Sequence, residues 1–341
     1  MRLTSFGSSI QARLLCAFCC LSAMSSSAAQ QQTAPVSGET IKTTAVAVNV
    51  YAIAQGRHGR LIRDLNKDDF ELTEDVTPQK IEFFSRETDT ALSLGVAIDT
   101  SISQGHLLTT EQEAAKKFLS SVLLPGDQGF VMSFDVDVRL QQDFTNDPRK
   151  LAQAIDATEI NHTGRSILED DPNAPRGGTH LFDATYLASD ELMKARIGRK
   201  VLVLVTDGED QGSKVTLQKA IEAAEKADMI VYSIVVSDPE FYRMMGGTYH
   251  GDASVRKLAH ETGGRTIRAK ATGQIEAAFG QIAVELRSQY LLGYSPSNLR
   301  RDGSFRRIHV TVRGHNYTVR TRTGYYDRGD EQTETRSAKQ E

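Results

Sequence analysis

Three short segments, far apart in the chain, carry oxygen atoms of the kind that hold a hard cation. Asp99-Thr100-Ser101-Ile102-Ser103 sets a carboxylate and two hydroxyls at alternate positions, so that all three can be directed at one point. Thr179 follows Gly177 and Gly178 on a loop that glycine leaves free to turn. Asp207 ends the run from Val201 to Val205 and Thr206, and Gly208 follows it. Hydroxyl and carboxylate oxygens without His or Cys suit Mg²⁺ first, then Mn²⁺ or Ca²⁺. Each segment alone has an ordinary reading. The first can be a strand-to-helix turn capped by Ser103, and the other two can be simple turns. Their joint occurrence, each at an expected structural boundary, is what points to a site.

The elements that must position these residues follow from hydrophobic patterning. Leu92 to Ile98 and Val201 to Val205 are nearly continuous apolar runs, as expected of strands buried on both faces. Both aspartates therefore sit at strand carboxyl ends, where open α/β sheets bind their ligands. Helical spacing marks 106–124, 181–196, 215–227, 254–262 and 274–288. Strands are expected at 130–134, 230–236 and 266–268 between them. This alternation predicts an α/β unit with a mostly parallel sheet and helices on both faces. Strand patterns also occur before it, at 45–54, 70–72 and 81–83, and after it, at 290–294, 308–312 and 317–322. So few short strands cannot bury a core from one end alone, and both ends are expected to pack together. The predicted arrangement is a small β-sandwich-like domain, from 43–90 and 286–327, into which the α/β unit of 91–285 is inserted.

Composition limits the function classes. With 39% hydrophobic and 25% charged residues, the chain can bury a real core. A formal charge of −4 and the absence of Trp leave no basic or base-stacking surface, so no nucleic-acid partner is expected. Residues 1–29 have Arg2 and Arg13, an apolar stretch from Leu14 to Met24, and Ser27-Ala28-Ala29. That is the pattern of a secretory signal peptide, and the apolar stretch is too short to span a bilayer. No transmembrane segment is expected elsewhere, and the mature protein is expected outside the cytoplasm. Cys16, Cys19 and Cys20 all lie in this segment, so cleavage near Ala29 leaves no thiol for disulfides or nucleophilic chemistry. Phe18 and Cys19 are poor matches to the small residues that precede a lipid-anchored cysteine. Residues 30–42 read as a flexible leader and 328–341 as a disordered charged tail. In that tail, Arg328-Gly329-Asp330 is a chance tripeptide.

Taken together, the three oxygen-bearing segments resemble the metal-ion-dependent adhesion site of von Willebrand factor type A (VWA) domains, over about residues 91–285. The whole mature chain is similar to bacterial, acidobacterial-type exported proteins with a VWFA-related domain, through KDDFELTED, IEFFSRETD, VTDGEDQGS, LAHETGG and LRSQYLLGYSP. The resemblance implies a doubly wound sheet and a metal site at Asp99, Ser101, Ser103, Thr179 and Asp207. It implies that Ser101, Ser103 and Thr179 touch the ion, while Asp99 and Asp207 act through bound water. Ile102 departs from the glycine common in relatives; no ligand oxygen is lost, but the loop shape is affected. Neutral hydroxyls leave much of the ion's charge uncompensated, so an acidic side chain from a protein partner is expected to complete its shell.

The expected function is thus metal-dependent protein binding without catalysis. A hydrolase would need a positioned base near the ion. His180, beside the glycine turn, reads as structural or exposed; Glu209 and Asp210 are placed to line the rim of the site, but read first as an acidic solvated loop. The alternatives are an assembly role with a purely stabilising metal, and a metal-dependent hydrolase. The polar loop from Arg165 to Arg176 reads equally as a shaper of ligand access or a tolerated insertion. Asn161 and Asn316 begin glycosylation sequons that matter only in a eukaryotic secretory route.

Overall fold

The computed structural model describes residues 47–86, 90–166, 177–236, 252–270 and 272–327, with Met244. The segments read above as a signal peptide, a leader and a charged tail, and residues 167–176, lie outside the described residues. Among the described residues, no helix is long and apolar enough to cross a membrane.

Five strands come first: β1 (Val48–Gln55), β2 (Leu61–Ile62), β3 (Phe70–Glu74), β4 (Thr77–Gln79) and β5 (Ile81–Arg86). The α/β unit then runs β6 (Leu92–Asp99), α1 (Leu108–Val122), β7 (Gln128–Phe134), β8 (Val138–Thr145), α2 (Pro148–Asp156) and α3 (Leu181–Leu187). A π-helical turn, Ala188–Met193, extends α3. The unit continues through β9 (Arg199–Thr206), α4 (Leu217–Lys226), β10 (Met229–Val236), α5 (Asp252–Glu261), β11 (Thr266–Ala269) and α6 (Thr272–Leu286). The last strands are β12 (Tyr290–Tyr294), β13 (Phe305–Val312), β14 (Thr318–Arg320) and β15 (Gly324–Tyr326).

The central sheet has the order β11-β10-β9-β6-β7-β8. All pairs are parallel except β7 with β8. Every residue of β6, β9 and β10 is buried, which explains their continuous apolar runs. One face packs against α1, α2 and α6, with Phe118 and Phe279 in ring contact at 4.8 Å. The other packs against α3, α4 and α5 through Leu181, Ile221 and Leu258. Gly95 is required here: a Cβ would lie 2.2 Å from the Phe130 ring and 2.9 Å from Leu202. The sheet is therefore α/β, mostly parallel and wound in both directions from β6, because β7 leaves to one side and β9 returns on the other. That reversal is the topological switch point of an open sheet.

Two elements, β8 and α2, are not evident from the apolar pattern. β8 is a half-buried antiparallel edge strand, VRLQQDFT, in which polar residues outnumber apolar ones. Helix α2 is short, yet it is signposted: Asp147 Oδ1 accepts from Arg149 N at 2.9 Å, and Pro148 occupies the first turn.

The strands from the two ends interleave. β1 pairs antiparallel with β12 and β14, and β12 also pairs with β5. In a second sheet β13 lies between β3 and β15, with β4 beyond β3. The inner faces share one core that includes Val50, Phe70, Leu72, Leu292, Ile308 and Val310. Strand β13 alternates buried and exposed positions along its length, the signature of a sandwich strand with one wet face. Within this core Glu74 is buried, and its carboxylate accepts from Tyr294 Oη at 2.7 Å, Tyr325 Oη at 2.8 Å and Arg306 Nη1 at 3.4 Å.

Candidate metal centre

Parallel pairing in register sets Ile98 beside Val205, so the chain ends of β6 and β9 leave the sheet together. Asp99 and Thr206 are the next residues, and Thr206 Oγ1 donates to Asp99 Oδ2 at 2.6 Å. The second carboxylate oxygen, Asp99 Oδ1, accepts from Ser101 N at 2.9 Å. This local bond turns the chain sharply into a single 3-10 turn, Ile102–Gln104, ahead of α1. The turn aims both serines inward. Ser101 Oγ lies 3.0 Å from Ser103 Oγ, and Ser103 Oγ donates to Asp207 Oδ2 at 2.6 Å across 104 residues of sequence. Asp207 Oδ1 in turn accepts from Glu209 N at 3.0 Å. Asp99, Ser101, Ser103 and Asp207 thus belong to one hydrogen-bonded group, with both carboxylates almost fully buried.

Thr179 stands outside this bonded group and is held by its backbone. It forms a two-way backbone bridge with Gln211, both bonds at 2.9 Å, four residues beyond Asp207. Gly178 makes that approach possible, because a Cβ there would lie 2.9 Å from Gln211 O and from Val136. Its φ of 156° also lies in the region that favours glycine. Gly177 N donates to Gly164 O at 2.6 Å, which fixes the backbone just ahead of Thr179.

Residues that the motif reading passed over complete the frame. Thr206 tethers Asp99 and accepts from Gly208 N at 2.9 Å. Thr100 donates to Asp135 Oδ2 at 2.7 Å; Asp135 also receives Arg139 and Asn161. The Asn161 amide is therefore engaged in holding the loop. His180 lies against Gly212, with its Nδ1 3.8 Å from Asp183 Oδ2. Asp210 is not simply solvated, as its position in an acidic stretch suggested: it is half-buried and accepts from Ser213 Oγ at 2.6 Å and Phe182 N at 3.1 Å, bracing the start of α3. The residue before a motif Asp, as Thr206 shows, was the one available signal.

Electrostatics give the group its character. Burial, and then the charge of Asp207, push Asp99 up to about 8, although bonds from Ser101 and Thr206 work in the opposite direction. Burial and a like charge both disfavour its ionised form. The donor set consists of hydroxyl and carboxylate oxygens, and among the described residues no three His, Cys, Asp or Glu side chains gather as a ligand group. A hard divalent cation, needing oxygen ligands and bringing positive charge, fits these residues.

The sequence model for the von Willebrand factor type A domain matches residues 94–209, the segment that holds both aspartates, both serines and Thr179. No curated protein matches the chain. Among solved structures, proximal thread matrix protein 1 from the mussel byssus is similar, with a TM-score of 0.48 and 14% identity; the alignment covers 63% of this chain and 51% of that one. BatB from Bacteroides thetaiotaomicron has a TM-score of 0.43 and 16% identity, with 58% of this chain and 100% of that one covered. The vWF domain of the type V pili tip protein Mfa5 from Porphyromonas gingivalis has a TM-score of 0.42 and 14% identity, with 58% and 95% covered. This chain thus spans only about half the length of the mussel protein. With the switch-point sheet, the bonded aspartates and serines and the match over 94–209 all on one segment, the chain carries a von Willebrand factor type A domain.

Proposed function

We propose that this VWA domain captures a protein partner through a divalent cation held by Ser101, Ser103 and Thr179, with Asp99 and Asp207 acting through bound water. The observation that carries the reading is the Ser101–Ser103–Asp207 chain beside the buried carboxyl of Asp99, which accepts from Ser101 N and Thr206 Oγ1. Neutral hydroxyls would leave the ion electrophilic, and an acidic side chain of the partner would complete its shell. Mg²⁺ is the first choice, with Mn²⁺ or Ca²⁺ as alternatives. The cation supplies a focus of positive charge; the chain's own residues orient it and exclude competing water.

The role is binding and not catalysis, and it is exercised outside the cytoplasm by a chain whose signal segment ends near Ala29. The β sandwich built from 43–90 and 286–327 serves as the platform on which residues 91–285 display the site. A stabilising metal within an envelope assembly is the second reading, and partner capture that survives metal removal would favour it.

Calorimetric titration with Mg²⁺ and Mn²⁺ tests the metal half. Ser101→Ala removes one oxygen and little volume, and Asp207→Ala removes a charge and the acceptor of Ser103. Both should weaken cation binding by roughly 10–100-fold, as loss of a supporting group does at metal sites. A pull-down from native envelope extract, with and without chelator, tests the other half. Capture that is indifferent to chelation, or to replacement of the partner's acidic residues, would remove the cation from recognition.

A further inference from the structure

Val76 and Leu299 are among the most exposed apolar side chains of the described residues, at 92% and 82%. Single exposed apolar residues are ordinary on a protein surface. These two, however, meet at one end of the β sandwich, and the chain fixes each of them there. Asp75 and Val76 alone join β3 to β4, with φ of 45° and 67°. A two-residue hairpin takes left-handed backbone at both positions, which Asp accepts and a β-branched residue adopts only at a cost. Glycine is the ordinary choice for the second position. Val76 thus strains the turn and buries almost nothing within the chain in return. Leu299 is held by another device. Buried Arg306 donates to the carbonyls on either side of it, to Asn298 O at 2.8 Å and to Arg300 O. The same guanidinium meets Glu74 at 3.4 Å, two residues before Val76. Asp75 N donates to Arg307 O at 3.0 Å, and Arg307 N donates to Asp75 Oδ1 at 2.9 Å. Both apolar tips therefore stand on one bonded frame.

Positive charge gathers at the same end. Gln79 exchanges two bonds with Ser297, at 2.8 and 3.0 Å, which sets Lys80 beside the loop that carries Leu299. Lys80, Arg300, Arg301 and Arg307 are all exposed. They outnumber the nearby acids Asp75, Glu82 and Asp302, on a chain whose net charge is −4. A stable protein interface would need a contiguous, closely packed patch. Two projecting tips do not form one. Apolar tips ringed by long basic side chains instead suit the surface of an anionic bilayer: the tips enter the acyl boundary, and the cations stay level with the phosphates.

We propose that this end of the β sandwich docks on an anionic lipid bilayer, with Val76 and Leu299 inserted at the headgroup boundary and Lys80, Arg300 and Arg307 on the lipid phosphates. The docking is independent of the cation site, whose residues all belong to the α/β unit.

The chain has no Trp, so Leu299→Trp places a single fluorescent reporter at the tip. On vesicles of phosphatidylcholine and phosphatidylglycerol with brominated acyl chains, and with chelator present, its emission should shift to the blue and be quenched. Ile197→Trp, at a residue of the α/β unit that is 91% exposed, should show neither change. Any contribution of residues 1–29 to vesicle binding is common to both variants. Sedimentation of the full chain with unbrominated vesicles of the same lipids tests the charges. Arg300→Gln and Arg307→Gln should each lower partitioning by about fivefold, the effect of one basic residue near an anionic surface. Val76→Gly should also partition less while melting no earlier, because it relieves the turn. Quenching that is absent at position 299, or equal at 299 and 197, overturns the proposal. So does partitioning that none of the three sedimentation variants alters. If the wild type ignores vesicles and Leu299→Trp instead abolishes capture of an acidic protein, this end is a protein-binding surface and the lipid assignment falls.

Discussion

Glu74 in the β sandwich and Asp99 in the α/β unit are both withdrawn from water, yet their surroundings differ. Glu74 is met by two tyrosine hydroxyls and the guanidinium of Arg306, which is itself buried and has a further carboxylate, Asp327, at 3.3 Å. Asp99 is met by the Thr206 hydroxyl and the Ser101 N–H, with the like charge of Asp207 nearby. The first arrangement neutralises its charge from within the chain and needs nothing else. The second gathers carboxyl and hydroxyl oxygens at the mouth of a switch point, where the proposed function places a cation. Burial of an acid is therefore no sign of function by itself; what distinguishes the two places is that Glu74 meets a guanidinium and Asp99 meets hydroxyl and amide donors beside a like charge.

The largest expected effect comes from separating the two regions. Deleting residues 43–90 removes β1, β3 and β5, the partners of β12 and β13. The sandwich should be lost as a whole, while residues 91–285 should keep the α/β fold and cation binding. Circular dichroism and calorimetry on the fragment 91–285 check this; a fragment that is unfolded at every Mg²⁺ concentration would make the two regions one folding unit.

A smaller loss should follow Arg306→Leu. Removing one partner of a buried pair leaves Glu74 uncompensated and typically costs about 3–5 kcal/mol. Chemical denaturation should show that loss with cation affinity unchanged. A cost below about 1 kcal/mol, the range of exposed ion pairs, would show that the tyrosines suffice.

The smallest effect concerns pH and sharpens the contrast. Above about pH 4 an unfolded chain has lost the Asp99 proton, whereas the folded, metal-free protein holds it up to about 8. The folded state then binds more protons, so stability should fall as pH rises through this window, by about 3 kcal/mol between pH 5 and 8. Asp99→Asn should reduce the slope. Saturating Mg²⁺ should raise the melting temperature more at pH 8 than at pH 5, because the ion favours the ionised site. Equal Mg²⁺ shifts at both values would mean that Asp99 does not answer to the ion.

Much of this design is local and so is readable in the sequence. The continuous apolar runs of β6 and β9 announce strands buried on both faces, and each ends at an aspartate, which places Asp99 and Asp207 at strand carboxyl ends. Ser101 and Ser103 follow at a spacing that a tight turn can use, and Gly178 marks the close approach that Thr179 needs. Helix periodicity and the strand runs at the two ends are likewise properties of neighbouring residues.

What the sequence could not show depends on partners far away along the chain. The polar edge strand β8 is held by β7, so its own pattern carries little signal. Arg306 looks like any surface arginine of an alternating strand until β3 brings Glu74 to it. Thr206 becomes a tether only when parallel pairing sets it against Asp99. Glu111 sits among Gln112 and Glu113, which reads as an exposed helix face; the docking of α1 on the sheet alone decides that its carboxyl is inside. Periodicity tells which side of an element is apolar, whereas the balance of buried charge depends on which elements meet, and that is decided only by the tertiary fold.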